Sequence, residues 1–381
     1  MFNFTSFKNF SYIYSSRIIV SGVQAAFYLI FATLLEPDGF GELSYIIAIA
    51  GTFSVVSRFG IPLSIIVYQA KDDVSTANQL NVLVIITTGI SALILIPINI
   101  YASLLCVGFT FYMMNQRNLL GLKKYKNSFL ISIVKSLLII TLPILLYFMF
   151  DIAGILVGMA ITNIASGLNF LKIVNFKINS FHKLKTNYKV LIHNFGMESA
   201  SSLVRWVDKL LIVPLFGFLS VGIYQFNLQI LFALTLLPAA LHVFLLSEES
   251  SGNKQKSITS LSILCAIILV IITIFLSPLI VSQFFPKYVS GITALQIIVS
   301  SLIPITLTTI MNAKLQSEES TQVGIPAIIK IGSFLILIIL LGNIFGIEGL
   351  SLAFLLSAII ETISLWLIYR KKNFKKNARL E

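Results

Sequence analysis

With 381 residues, 57% hydrophobic and only 11% charged, the chain falls far short of the roughly 25% charged residues of an ordinary soluble domain. Its apolar runs recur along the whole length, which excludes a water-soluble fold and points to a chain embedded in a membrane throughout. A formal net charge of +12 does not mark a nucleic-acid binder here, because most basic residues occupy short loops between apolar runs, the pattern of cytoplasmic loops.

The chain opens with an aromatic segment (Phe2, Phe4, Phe7, Phe10, Tyr12, Tyr14) suited to a membrane interface, and no cleavable leader is expected. A span takes about 20 mostly apolar residues. Twelve are predicted, at 13–35, 43–68, 80–97, 99–116, 127–149, 152–173, 195–215, 220–246, 258–281, 289–312, 324–345 and 348–369. They must be helices, since the alternation of barrel strands is absent and each backbone has to satisfy its own polar groups in lipid. An even count puts both termini on one side. Twenty of the 27 Lys and Arg then share that side, which predicts cytoplasmic termini. The longest polar stretch divides the chain into an N-terminal six-helix lobe (1–174), a cytoplasmic linker (175–192) and a C-terminal six-helix lobe with a basic tail (193–381). Phe40-Gly41 with Tyr45, after the first span, is echoed by Val221-Gly222 with Tyr224 after the seventh, as in a two-fold repeat.

Charges inside apolar runs are costly, about 2.5–3.5 kcal/mol each on insertion scales, so each needs a reason. In the first span Arg17, Ser21, Gln24 and Tyr28 share one helical face. Ser44, Gly51, Ser54 and Arg58 do so in the second, and Glu198, Ser201, Arg205 and Asp208 in the seventh, with Lys209 beside them. The eighth opens with Tyr224, Gln225, Asn227 and Gln229. These polar faces are read as an internal hydrophilic cavity. Arg17 either snorkels or lines it; Arg58 is too deep to reach the surface; Arg205 and Asp208 are spaced for a private ion pair. Lys135 is read as snorkelling. Lys330 and Glu361 stand about equally far from Gly346 and are expected to pair across the last hairpin. Gly154 and Gly158 form a GxxxG pattern suited to close helix packing. No metal-ligand spacing, nucleophile elbow or P-loop is present, so neither a metal, a cofactor nor an enzyme activity is expected. Basic groups in a dry-walled cavity suit phosphate or pyrophosphate, which Arg grips through two parallel hydrogen bonds.

The stretch Leu34-Leu35-Glu36-Pro37-Asp38-Gly39-Phe40-Gly41, running on to Ser57-Arg58-Phe59-Gly60-Ile61-Pro62, resembles the first hairpin of Wzx-type oligosaccharide flippases, in the MOP (multidrug/oligosaccharidyl-lipid/polysaccharide, MATE-like) exporter superfamily. Trp206-Val207-Asp208-Lys209 with Phe216-Gly217 and Val221-Gly222-Ile223-Tyr224 resembles their seventh span and its sequel. Gly346-Ile347-Glu348-Gly349-Leu350 with Ala353 resembles their last hairpin.

The resemblance implies an all-α integral membrane fold, about 12 transmembrane helices in two six-helix lobes around a central cavity. It implies alternating access that moves a polyprenyl-(pyro)phosphate-linked oligosaccharide across the cytoplasmic membrane, for surface polysaccharide or glycoprotein glycan assembly. Arg17, Arg58 and Arg205 are the matching cations for the phosphate; Ser21, Gln24, Asn227 and Gln229 are candidates for the sugar; Asp208 and Glu198 would orient an Arg or couple to an ion, H+ or Na+. A monomer among membrane lipids is expected. Two rivals stay open: a MATE-type exporter of drugs or organic cations, against which the basic excess speaks, and a membrane-embedded glycan polymerase or ligase, which would want a large outer loop.

Overall fold

A computed structural model describes residues 4–176, 191–192, 194–196, 198, 205–236, 238, 256–317 and 324–377; side chains are described for these except 4–10, 14, 17–18, 256–257, 316–317, 324 and 372–377. Among them are helices α1 (Phe4–Leu34), α2 (Pro37–Arg58), α3 (Ile61–Ala70), α4 (Val74–Leu95), α5 (Ile100–Gly121), α6 (Tyr125–Gly167) and α7 (Asn169–Ile173). Then come α8 (Val207–Leu234), α9 (Lys256–Phe284), a 3-10 turn (Pro286–Gly291), α10 (Ile292–Val299), α11 (Leu302–Ser317) and α12 (Gly324–Asn377). No strand occurs among the described residues.

Among the described residues, seven stretches are long and apolar enough to cross a membrane. Three of the long helices fold back at a single residue: α6 at Asp151 (φ 54°, ψ −139°), α8 at Gly217 (φ 79°, ψ 175°) and α12 at Gly346 (φ 57°, ψ −131°). With α1 and α5, these give the expected twelve crossings or so in an all-α membrane protein. The surface agrees with immersion in lipid: Phe148, Met149 and Phe275 are 73%, 71% and 78% exposed, an arrangement water would penalise.

Two expected spans are interrupted. The run 43–68 breaks at Phe59 (φ 46°) and Gly60 (φ 72°), between α2 and α3. The run 289–312 is a 3-10 turn, a short helix, a turn at 300–301 and a second helix, with Pro304 just beyond the turn. At the tight turn between α4 and α5, Asn99 Oδ1 accepts the Ala102 amide (2.9 Å), and at the start of α4 Asp73 Oδ1 accepts that of Thr76 (3.2 Å). Such caps satisfy amides that a helix start leaves open.

The chain groups into two compact units: Met1–Phe27 with Leu43–Leu210, and Tyr28–Glu42 with Leu211–Glu381. Most of the expected linker lies outside the described residues. In the first unit Ile61, Ile65, Leu80, Val84, Met114 and Phe170 form a buried apolar core. Beside it Gln69 Nε2 and Asn81 Nδ2 both donate to Asn118 Oδ1, at 2.8 and 3.1 Å, so these buried amide groups find partners. Gly154 and Gly158 lie where a Cβ would overlap the Leu146 carbonyl and Pro143, which bears out the close packing read from GxxxG. In the second unit Gly41 and Gly222 abut: a Cβ on Gly41 would strike the Phe218 carbonyl, one on Gly222 that of Pro37. The echo in the sequence therefore marks a helix crossing. Lys330 meets Glu361 at 2.7 Å, the pair expected across the last hairpin.

Candidate anion site

Arg58 is the last residue of α2, immediately before the break, and only 5% exposed. Its Nε and Nη2 both reach Glu198 Oε1 at 3.1 Å. Nη1 donates to Ser54 Oγ, one turn back. Ser54 Oγ lies 3.2 Å and Ser57 Oγ 3.4 Å from Thr110 Oγ1 of α5. The break would orphan helix carbonyls; that of Ser57 accepts the Thr87 hydroxyl at 2.6 Å. A buried guanidinium is thus fixed among hydroxyls, with one carboxylate compensating its charge.

Local packing holds Glu198 there. Phe195 stacks on Phe59 at 4.7 Å between ring centroids. Asn194 Nδ2 donates to Ser64 Oγ at 2.9 Å. Gly60 has no room for a Cβ against the Asn194–Phe195 backbone, and Gly51 none against the Trp206 indole. Glycine at 60 therefore serves two needs, a left-handed φ and a close approach.

The other candidates distribute differently. Asp208 and Lys209 are each 3% exposed. Lys209 Nζ meets Asp208 Oδ1 at 3.0 Å and the Arg205 carbonyl at 3.0 Å. The ion pair expected between Arg205 and Asp208 is therefore replaced by one with Lys209, whose flexible stem folds back onto the preceding side chain, while the Arg205 side chain is exposed. The side chain of Arg17 lies outside the described ones. Ser21 and Gln24 are exposed. Asn227 (0% exposed) and Gln229 (5%) belong to the second unit and are buried in it, and Asn227 Nδ2 donates to the Gly291 carbonyl at 3.2 Å. Of the candidate set, the first unit brings Arg58 and Glu198 into contact.

A family model described as polysaccharide biosynthesis protein matches residues 6–243. The chain belongs to that family. It is similar to an uncharacterized membrane protein of Methanocaldococcus jannaschii, 24% identical over 394 residues that take in 92% of this chain and 95% of the other. Its fold resembles an inward-facing multidrug resistance MATE family transporter of the MOP superfamily (TM-score 0.64, 16% identity, 94% and 95% of the two chains). It also resembles the lipid II flippase MurJ in an inward closed conformation (TM-score 0.60, 17% identity, 96% and 87%). The resemblance read from short motifs thus leads to the right family and fold.

Two features of this family member escape a reading by sequence. The Ser54–Thr110–Ser57 hydroxyl cluster joins helices far apart in the chain, and a lone Ser or Thr carries no signal of it. Lys135, read as snorkelling, instead places its ammonium over the Tyr112 ring, 3.7 Å from the centroid.

Proposed function

We propose that this protein flips a polyprenyl-(pyro)phosphate-linked oligosaccharide across the cytoplasmic membrane by alternating access, with both termini in the cytoplasm. The observation that carries the reading is Arg58: a buried guanidinium at a helix break, braced by Ser54 and neutralised by Glu198. Interrupted helices are where transporters place ligand sites. Membership of a polysaccharide biosynthesis family supports a glycan carrier, and the MOP-type fold supports transport.

In this mechanism the substrate phosphate takes the place of the Glu198 carboxylate on Arg58. Both are oxyanions that fit the guanidinium fork, so exchange needs no rebuilding of the site. Arg205 and Arg17 add positive charge, Ser21 and Gln24 contact sugar hydroxyls, and the Glu198 carboxylate, once released, takes up H+ or Na+. Asp208, held by Lys209, fixes the backbone that carries Arg205. Binding energy that differs between inward- and outward-facing states shifts their populations.

Arg58→Ala alone leaves Glu198 buried without its partner, which is strongly destabilising. The decisive variant is therefore Arg58→Ala with Glu198→Ala. In proteoliposomes with a fluorescent lipid-linked oligosaccharide, the double variant is expected to fold and to lose at least tenfold in flipping rate. Flipping at the wild-type rate would overturn the reading. Resistance to organic cations without flipping would make the protein a drug exporter instead.

A further inference from the structure

We propose that Lys135 is a second contact for the substrate's (pyro)phosphate, positioned by the face of Tyr112; this rests on the reading that the carried lipid is anionic. Lys135 lies about ten residues beyond Tyr125, where α6 begins, or ~15 Å along the helix axis at 1.5 Å per residue. It is partly buried, and its ammonium stands 3.7 Å from the Tyr112 ring centroid.

The accounting of its donors is what points to a ligand. Arg58, Lys209, Lys287 and Lys330 each meet a carboxylate. Lys135 meets none among the described residues, and donates no hydrogen bond to any of them. An ammonium has three N–H donors, and a ring face attracts its charge from one side only.

The polar groups around Tyr112 are already committed to one another. Gln116 Nε2 donates to Ser132 Oγ and to the Ser128 carbonyl, both at 3.3 Å, Ser132 Oγ donates to that same carbonyl at 2.9 Å, and Ser128 Oγ donates to Gln116 Oε1. The Tyr112 hydroxyl lies 3.4 Å from Ser132 Oγ. This belt braces the ring and leaves the ammonium's remaining donors for water or for an anion. A lysine meets phosphate as a point charge, which suits a headgroup that has to leave again.

Thr110 touches Ser54 and Ser57 in the Arg58 group. Tyr112, two residues on in α5, points about 200° further round the helix, so Lys135, which stands on its ring, is a cation separate from that group. Arg58 is compensated by Glu198; among the described residues the charge of Lys135 is not. The uncompensated cation is the one that attracts an incoming phosphate. Tyr112 is a positioning residue: it holds the ammonium and does not touch the substrate.

The test uses the purified full chain in phosphatidylcholine nanodiscs, titrated with farnesyl pyrophosphate and, as the neutral counterpart, farnesol. Lys135→Met and Tyr112→Leu are expected to weaken farnesyl pyrophosphate binding about tenfold. Lys135→Arg and Tyr112→Phe should stay within about threefold of wild type, and farnesol binding should be the same for all. Unchanged affinity in a folded Lys135→Met protein, with the wild type binding, overturns the assignment and leaves the proposed function standing. Failure of the wild type to prefer the pyrophosphate to farnesol overturns both. Loss of the Lys135 dependence when a fifth of the lipid is phosphatidylglycerol shows that a resident phospholipid headgroup occupies Lys135, and overturns the substrate assignment alone.

Discussion

At the residue scale, the charges within the apolar runs resolve into neutral couples and an uncompensated remainder. Burying a lone charge is costly, and a buried pair is tolerated when its geometry is good. Asp208 and Lys209 form such a couple at 3% exposure each. Neighbours in a helix do not usually face one another, which is why spacing alone suggests Arg205 as the partner; the long lysine stem overcomes the angle. Replacing Asp208 by Ala strands the ammonium, and such a loss typically costs about 3–5 kcal/mol. Asp208→Ala is thus expected to lower the unfolding midpoint in detergent by several degrees, and Asp208→Ala with Lys209→Met to recover most of it. A midpoint unchanged in the single variant would show that the couple does not stabilise the fold. Arg58 and Glu198 are the same device at a helix break. What distinguishes that couple is its position at the break between α2 and α3.

At the scale of elements, the hairpin turns were legible and the breaks were not. Asp151 and Gly346 separate apolar runs of full span length, so length alone locates the turn, and Lys330 and Glu361 then fall opposite each other by counting. The run 43–68 is apolar on both sides of Phe59-Gly60, and a reading by hydropathy joins what the backbone interrupts. A signal was present in Gly60-Ile61-Pro62, glycine followed by a proline suited to a helix start. Its weight came only from Asn194 and Phe195 packing against Gly60, a contact more than 130 residues away in sequence. Likewise the site was legible as residue types on helix faces, while their pairing was not, because pairing depends on distances between helices. The abutting glycines give the prediction at this scale. A Cβ at Gly222 overlaps the Pro37 carbonyl, backbone that cannot rotate away, so Gly222→Ala has to separate the helices. Overpacking of this kind costs about 1–3 kcal/mol. The variant should melt earlier than wild type, whereas Gly332→Ala, with open space at its Cβ, should melt no earlier. Equal melting of Gly222→Ala and wild type would show that the crossing is looser than its geometry.

At the scale of the whole molecule, the number of crossings is a claim about which side of the membrane each loop occupies. The lysines at 123, 124 and 126 and the basic tail after Arg370 share a side only if an even number of spans separates them. The folded-back helices α6, α8 and α12, together with α9 and the interrupted α10–α11 segment, supply eight crossings. Ser290, in the 3-10 turn, is then an odd number of crossings from either. In a chain whose native cysteines, Cys106 and Cys265, are changed to Ser, cysteines placed singly at the exposed positions Lys124, Ser290 and Lys371 report this directly. A membrane-impermeant maleimide added to right-side-out vesicles is expected to label the cysteine at 290 and spare those at 124 and 371. Inverted vesicles should reverse the pattern. Labelling of 124 and 371 from opposite sides would break the even count, and with it the segregation of positive charge that sets the orientation. Labelling of both from outside would keep the even count but invert the chain, with its basic loops on the outer side, against the charge bias that predicts cytoplasmic termini.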